Sequence, residues 1–160
     1  MKTFTAKDAE KITAFPIRRI RFYTSSKVLL PDAKLSSGRG VANEFSIKNL
    51  VELEIIKILC EAGIDLTNIK KIIKAVSVDL KTYLQSVSDL IEGNPRDQDL
   101  DKLTHFVAIS RSGPKKIACT SHVSYEEPWL QTTLEKQGYN CAIVINIMGI
   151  IRKLITRLTK

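Results

Sequence analysis

Two groups of basic residues in the first third of the chain have types and spacing suited to binding a polyanion. Arg18, Arg19 and Arg21 fall within one short predicted helix, and Arg39 stands between two glycines in a loop rich in Ser and Gly. Guanidinium groups bind phosphate oxygens and base edges in a fixed geometry. Glycines keep the backbone thin, so a loop tip can approach a phosphate closely, although an ordinary flexible hairpin would also carry them. The pattern therefore favours nucleic acid as the ligand.

Helical geometry separates the side chains of this basic helix. Successive residues advance by about 100° around the axis, so Arg18 and Phe22 share a face, whereas Ile20 points to the other side. We expect Arg18 and Arg19 to reach a DNA groove and to contact base edges or phosphates. The alternative is a solvated basic face, with Phe22 and Tyr23 belonging to the core.

The positive charge is concentrated before residue 50. The chain carries a formal net charge of +8, and residues 1–49 hold ten Lys or Arg against four Asp or Glu. Charge gathered on one segment favours a polyanion partner, although a solvated basic face would look similar. The lysines that we add as candidate phosphate contacts are Lys7, Lys27, Lys34 and Lys48.

Other classes of site find little support in the sequence. Three scattered cysteines, Cys60, Cys119 and Cys141, predict a reducing compartment without disulfides. No signal pattern and no apolar run of about 18 residues is present, so we expect a cytoplasmic protein without a membrane segment. His105 and His122 lack ligand spacing, and phosphate-loop and hydrolase motifs are missing. We therefore expect no metal, no cofactor and no enzymatic activity.

Capping residues and apolar periodicity predict four helices in residues 1–77, with basic helix and basic loop in the order of a winged helix-turn-helix. Thr5 with Asp8 resembles a capping box, and Ser46 and Asp65 are predicted caps of later helices. A further short helix over 78–91 carries apolar residues at 4-3-4 spacing, namely Leu80, Leu84, Val87 and Ile91. That stripe is either the seam of a short coiled coil or a surface packed within its own domain.

Residues 103–160 change character and predict a small α/β domain. The expected order is strand, strand, helix, strand, helix, with about three strands and two helices, and the middle helix crosses over between parallel strands. The predicted elements are His105–Ser110, Lys116–Ser121, 126–137, Cys141–Ile147 and Ile150–Leu158. The expected fold class is α+β, with a winged helix-turn-helix domain over 1–77, a linker helix and polar linker over 78–102, and the α/β domain over 103–160.

The first 77 residues resemble the MerR family of bacterial transcription regulators. The run Phe15–Thr24, FPIRRIRFYT, followed by Leu29–Pro31, is similar to the family's second helix, which typically reads VSPRTLRYYE before an apolar pair and Pro. Gly38–Gly40 leading to Phe45–Leu50 resembles the family's wing and the aromatic-Ser step after it. Gly63–Leu66 resembles the Gly-apolar-Ser-Leu step that joins the third and fourth helices, with Asp65 at the Ser position.

Three departures from the family pattern affect the second helix and its turn. Pro16 and Ile17 replace the capping Ser-Pro, Thr24 replaces Glu, and Lys27 replaces the Gly of the following turn. By resemblance, Arg21 and Tyr23 contact or brace the DNA backbone. The family's long dimerisation helix is expected to be shortened to 78–91.

The resemblance implies a function that composition alone does not. We expect a sequence-specific regulator that binds double-stranded DNA as a homodimer, contacts RNA polymerase and responds to a small-molecule effector. The alternative is a protein-interaction adaptor that keeps the winged-helix fold without specific DNA reading.

Overall fold

The computed structural model of this chain describes residues 3–33, 42–92, 105–112, 116–123 and 142–158. The chain divides into two compact units, residues 1–77 with 150–160, and residues 78–149. Within the described residues the elements are α1 (Ala6–Thr13), α2 (Ile17–Ser25), α3 (Ile47–Glu61), α4 (Leu66–Glu92), β1 (His105–Ser112), β2 (Lys116–Val123), β3 (Ala142–Asn146) and α5 (Ile147–Leu158).

Helix α1 begins at the predicted capping box, which is confirmed. The Thr5 hydroxyl accepts from the backbone N–H of Asp8 at 3.3 Å, and the Asp8 carboxylate accepts from the backbone N–H of Thr5 at 2.9 Å. Two orphan donors of the first turn are satisfied in this way. Because the carboxylate accepts from both the hydroxyl and the backbone of Thr5, the pKa of Asp8 is held below its usual value.

Helix α3 is the centre of the N-terminal unit. It is buried continuously from Asn49 to Ile56, and Leu59 is fully covered as well. A capping box of Ser46 with Asn49 starts the helix. At its other end Gly63, at φ +72, closes a double hydrogen-bonded cap whose outer bond runs from the Ile64 N–H to the Leu59 carbonyl at 3.0 Å.

Helix α4 corrects a predicted boundary. The sequence predicts a helix that ends near residue 77 and a separate linker helix over 78–91, but α4 runs unbroken from Leu66 to Glu92. The helix contains neither Gly nor Pro, and the i+3/i+4 spacing of its apolar residues continues across Ser77. Among the residues of α4 whose burial is described, the buried side chains are Ile69, Ile72, Ile73, Val76, Leu80 and Tyr83. Leu80, the first residue of the predicted seam, is thus already covered by its own chain.

The strands of the second unit form a sheet in the order β2-β1-β3. Central β1 pairs antiparallel with both neighbours, for instance through Ile109 opposite Cys119 and opposite Ile143. Strands β2 and β3 therefore run in the same direction with β1 between them. The predicted crossover helix over 126–137 lies outside the described residues and stays a prediction. The predicted polar linker beyond residue 92 also lies outside them.

Helix α5 differs from the expected final helix in its start and in its partners. It begins at Ile147, directly after β3, because the Asn146 side chain accepts from the Gly149 N–H at 2.8 Å and caps the first turn. The sequence analysis assigned residues 103–160 to one domain, whereas residues 150–160 group with the N-terminal unit. One contact between α5 and the N-terminal unit is the ion pair of the Arg157 guanidinium with the Glu54 carboxylate of α3, with 3.0 Å between nitrogen and oxygen.

None of the helices in the described ranges has both the length and the apolar composition needed to cross a membrane.

Candidate nucleic-acid interface

One face of α2 presents basic and aromatic side chains to solvent. Arg18, Arg19 and Arg21 are exposed, and Phe22 is 51% exposed. Within the described part of the chain, no carboxylate lies within ion-pair distance of these three arginines. On the opposite side Ile20 is fully buried, so the amphipathic division predicted from helical geometry is present. Three cations without described partners can each neutralise a phosphate or bond to a base edge.

The start of α2 is held by a residue of the preceding helix. Pro16 occupies the cap position and offers no side-chain hydrogen bond. The carboxylate of Glu10 instead accepts from the Ile17 N–H at 2.8 Å. This contact satisfies an orphan donor and places negative charge at the positive end of the helix dipole. Sequence reasoning missed Glu10, because nothing in the local pattern marks an acceptor seven residues before its donor.

Tyr23 lies in the core rather than on the exposed face. Its side chain is 7% exposed, and its hydroxyl shares a hydrogen bond with the Cys60 thiol at 2.9 Å. Its ring lies 5.8 Å from that of Phe15. Burial, followed by the hydrogen bond and proximity to Cys60, raises the pKa of Tyr23 to about 12. Among the open interpretations, the geometry favours a tyrosine that braces α2 from inside.

The Tyr23 ring also fixes its exposed neighbour. The rings of Phe22 and Tyr23 meet edge to face, with centroids 5.4 Å apart and planes at 70°. Such a contact adds to the burial of the inner ring and restricts the outer one. Phe22 is therefore a positioned apolar group between the arginines of the basic face, where sequence analysis left open whether it belonged to the core.

The turn after α2 accommodates a lysine in a left-handed conformation. Lys27 has φ +57, a backbone region in which glycine is favoured. Its N–H donates to the Thr24 carbonyl at 3.1 Å, and the next N–H, from Val28, donates to Tyr23 at 2.9 Å. Lys27 thus has a left-handed backbone conformation that glycine adopts without strain, and its exposed side chain adds a cation beside the basic face.

An open groove of about 800 Å³ runs along the second half of α2. It lies between that helix and described residues that precede and follow the predicted wing in the sequence. The residues that line it include Arg21, Thr24, Lys27, Pro31 and Asn43. The structure brings Arg21 and Lys27 to one surface, as a phosphate-binding groove requires.

The base of the predicted wing is tied to α3 by one buried amide. The Asn49 side-chain oxygen accepts from the backbone N–H of Asp32 at 3.1 Å and of Ser46 at 3.2 Å. Its NH₂ donates to the Leu30 carbonyl and to Glu52, each at 2.9 Å. A fully buried amide with all these bonds fixes both ends of the intervening loop.

The remaining predicted contacts differ in how the structure places them. Lys7 is exposed on α1. Lys48 is half-buried and paired with Asp32 at 3.4 Å and Glu52 at 3.1 Å, so its charge is already compensated. The wing cations Lys34 and Arg39 lie outside the described residues.

Two short helices joined by a tight turn, the second exposed and basic, have the arrangement of a helix-turn-helix motif. Residues 4–76 match the family described as MerR HTH family regulatory protein. The N-terminal part of this chain is a MerR-family helix-turn-helix domain, which at the level of the family is the domain of a DNA-binding regulator. A comparison with curated proteins gives no match.

Proposed function

We propose that this chain is a sequence-specific transcription regulator that binds double-stranded DNA as a homodimer, with α2 in the major groove. The observation that supports this most is the exposed face of α2, where three arginines surround a fixed aromatic ring. Exposed guanidiniums on a recognition helix bind phosphates and guanine edges, and an apolar ring suits the thymine methyl group.

Different parts of the surface take different tasks in this proposal. Arg18 and Arg19, in the first turn of α2, reach base edges or the phosphates beside them. Arg21 and Lys27 hold the backbone along the groove at the other end of the helix. The wing cations Lys34 and Arg39 add phosphate contacts on the neighbouring strand. Tyr23 supports α2 from the core.

The small number of cations on one domain supports the proposal of a dimer. One copy offers about four to six phosphate contacts, which gives modest affinity alone. Two copies on a two-fold-related site double these contacts. Binding of RNA polymerase and of a small effector extends the proposal and is supported only by the family to which the domain belongs.

Selection of genomic DNA fragments by the full-length protein tests the proposal. We expect a small set of enriched fragments that share two related half-sites in inverted orientation. Fragments with a single half-site would contradict the dimer but keep the regulator. Recovery of fragments without any shared sequence would contradict sequence-specific reading, and failure to retain DNA at low salt would support the adaptor alternative.

A further inference from the structure

Helix α5, at the far end of the chain, contacts the turn between α1 and α2. We propose that Arg157 is a positioning residue for DNA recognition, which holds the helix-turn-helix turn in the geometry that presents α2 to the groove. This inference rests on the proposed function, since it concerns how the same surface is kept in place.

The contact is made by one nitrogen of the Arg157 guanidinium. This nitrogen, Nη1, donates to the Ile12 carbonyl at 2.6 Å and to the Glu54 carboxylate at 3.0 Å. Glu54 is only 4% exposed, so its charge is fixed within the core by α3. A buried carboxylate with a hydrogen-bonded partner orients the guanidinium. The position of the Arg157 N–H donor that faces α1 is therefore determined by its contact with the buried Glu54.

The Ile12 carbonyl needs a donor from elsewhere in the chain. In a continuing helix it would accept from residue 16, but Pro16 has no N–H. The N–H of Phe15 is also engaged, because it donates to the Thr13 hydroxyl at 3.3 Å. Arg157 supplies the missing donor and places positive charge at the negative end of the α1 dipole.

The same short turn controls where α2 begins. Ala14 ends α1 in a left-handed conformation at φ 54, and three residues later Ile17 donates to Glu10. Glu10 and Ile12 both belong to the last turns of α1. A shift of the α1 end therefore moves the acceptor that caps α2. Arg157 acts on the recognition helix through this pair of backbone contacts, not by touching DNA.

A matched set of full-length variants tests the proposal. Arg157→Met keeps the helix propensity and most of the aliphatic part of the side chain but removes the N–H donors. Arg157→Lys keeps a positive charge and carries three N–H donors on an ammonium group. Lys153→Met removes the same charge from an exposed position of the same helix. Glu54→Gln keeps an acceptor without the charge and serves if the Met variant folds poorly. Circular dichroism sets a temperature at which every variant is folded.

The first measurement compares two DNA probes, the most enriched genomic fragment and a mixed-sequence duplex of the same length. We expect Arg157→Met to lose about tenfold in affinity for the enriched fragment, the size of one charge-assisted hydrogen bond. Its affinity for the mixed duplex should change by no more than about twofold, as for Lys153→Met. Arg157→Lys should recover most of the discrimination. Equal losses on both probes would overturn the positioning role, while the wild-type preference for the enriched fragment would still support the proposed function.

The second measurement needs no DNA. Amide hydrogen exchange reports opening of the first turn of α2, residues 17–20, in the free protein. We expect faster exchange there in Arg157→Met than in Lys153→Met, with α4 unchanged between them. Equal exchange in the two variants would overturn the inference whether or not the wild-type protein selects DNA. A wild type that selects no sequence, together with faster exchange in Arg157→Met, would overturn the proposed function and leave the structural link supported.

Discussion

The carboxylate of Glu10 caps the recognition helix by accepting a hydrogen bond from the Ile17 N–H at 2.8 Å. The two residues belong to consecutive helices, and the cap position between them is occupied by Pro16, which has no side-chain acceptor. A capping hydroxyl would be part of α2 itself, whereas this cap is part of α1. The orientation of α2 therefore depends directly on where α1 ends.

Removal of this cap should weaken both folding and DNA binding. We expect Glu10→Ala to lower the free energy of unfolding by about 1 kcal/mol, the usual cost of a lost helix cap. Glu10→Gln keeps an oxygen acceptor and should lose less. Pro16→Ser supplies a hydroxyl that accepts from the second or third N–H of the helix and not from Ile17, so Glu10→Ala should cost about the same in that background. Urea denaturation measures all four variants, and a much smaller loss from Glu10→Ala in the Pro16→Ser background would contradict the specific bond between Glu10 and Ile17.

Asn49 is expected to be the most sensitive polar residue of the N-terminal unit. Truncation to Ala leaves the Asp32 and Ser46 N–H groups and the Leu30 carbonyl without the partner seen here. We expect Asn49→Ala to cost about 2–3 kcal/mol, because the buried Ser46 N–H and the buried Glu52 carboxylate would each lose a hydrogen bond. Asn68→Ala, in the exposed first turn of α4, is the control and should cost less than about 1 kcal/mol. Equal destabilisation in urea would contradict the assigned role.

Substitutions of Lys27 distinguish the effect of its strained backbone on stability from the effect of its charge on DNA binding. Lys27→Gly should raise the free energy of unfolding by about 0.5–1 kcal/mol, because Gly has no steric penalty at φ +57. Lys27→Ala keeps the strain and removes the cation, so it should bring no such gain. Both variants should bind DNA more weakly if Lys27 contacts phosphate.

Ala62→Gly is the matched control for backbone conformation, since Ala62 has φ −78 and carries no such strain. It should lower the free energy of unfolding rather than raise it. Thermal unfolding compares the series, and a stabilised Ala62→Gly would contradict the strain argument.

The raised pKa of Tyr23 predicts that the free energy of unfolding falls at alkaline pH. Because burial raises its pKa to about 12 in the folded protein, from 10.0 for a free tyrosine, the folded state keeps its proton more strongly. The stabilisation is complete below pH 10 and is lost as the pH rises toward 12. Tyr23→Phe removes this dependence and, at neutral pH, costs about 0.5–1.5 kcal/mol for the bond with Cys60. Urea denaturation across this alkaline range measures it, and parallel pH profiles for the two proteins would contradict the burial of the hydroxyl.

Local sequence signals predicted the helix starts of the N-terminal unit well. Thr5 with Asp8, and Ser46 before α3, act within one turn of backbone, so residue type and spacing are enough to recognise them. Helical geometry also placed Ile20 in the core. The same geometry puts Tyr23 on the side of the helix that carries Ile20, and its side chain is buried there.

Contacts between distant residues could not be predicted in this way. Arg157 and Glu54 are 103 positions apart, and nothing near either residue marks the other. The conformation of Lys27 could not be predicted for a different reason. The sequence shows that a lysine replaces the family's glycine, but it does not show whether the turn changes or the lysine adopts the left-handed conformation. The break expected near residue 77 was wrong because the chain has neither Gly nor Pro there to interrupt the helix.

The salt dependence of DNA binding tests the central claim most directly, namely that the exposed arginines of α2 meet phosphates. The double variant Arg18→Ala/Arg19→Ala is compared with Lys71→Ala/Lys81→Ala, which removes two exposed charges from α4. Each lost phosphate contact should reduce the slope of log affinity against log salt by about 0.9. We predict a reduction of about one to two for the arginine variant and none for the lysine variant, whereas equal slopes for the two variants would contradict the account.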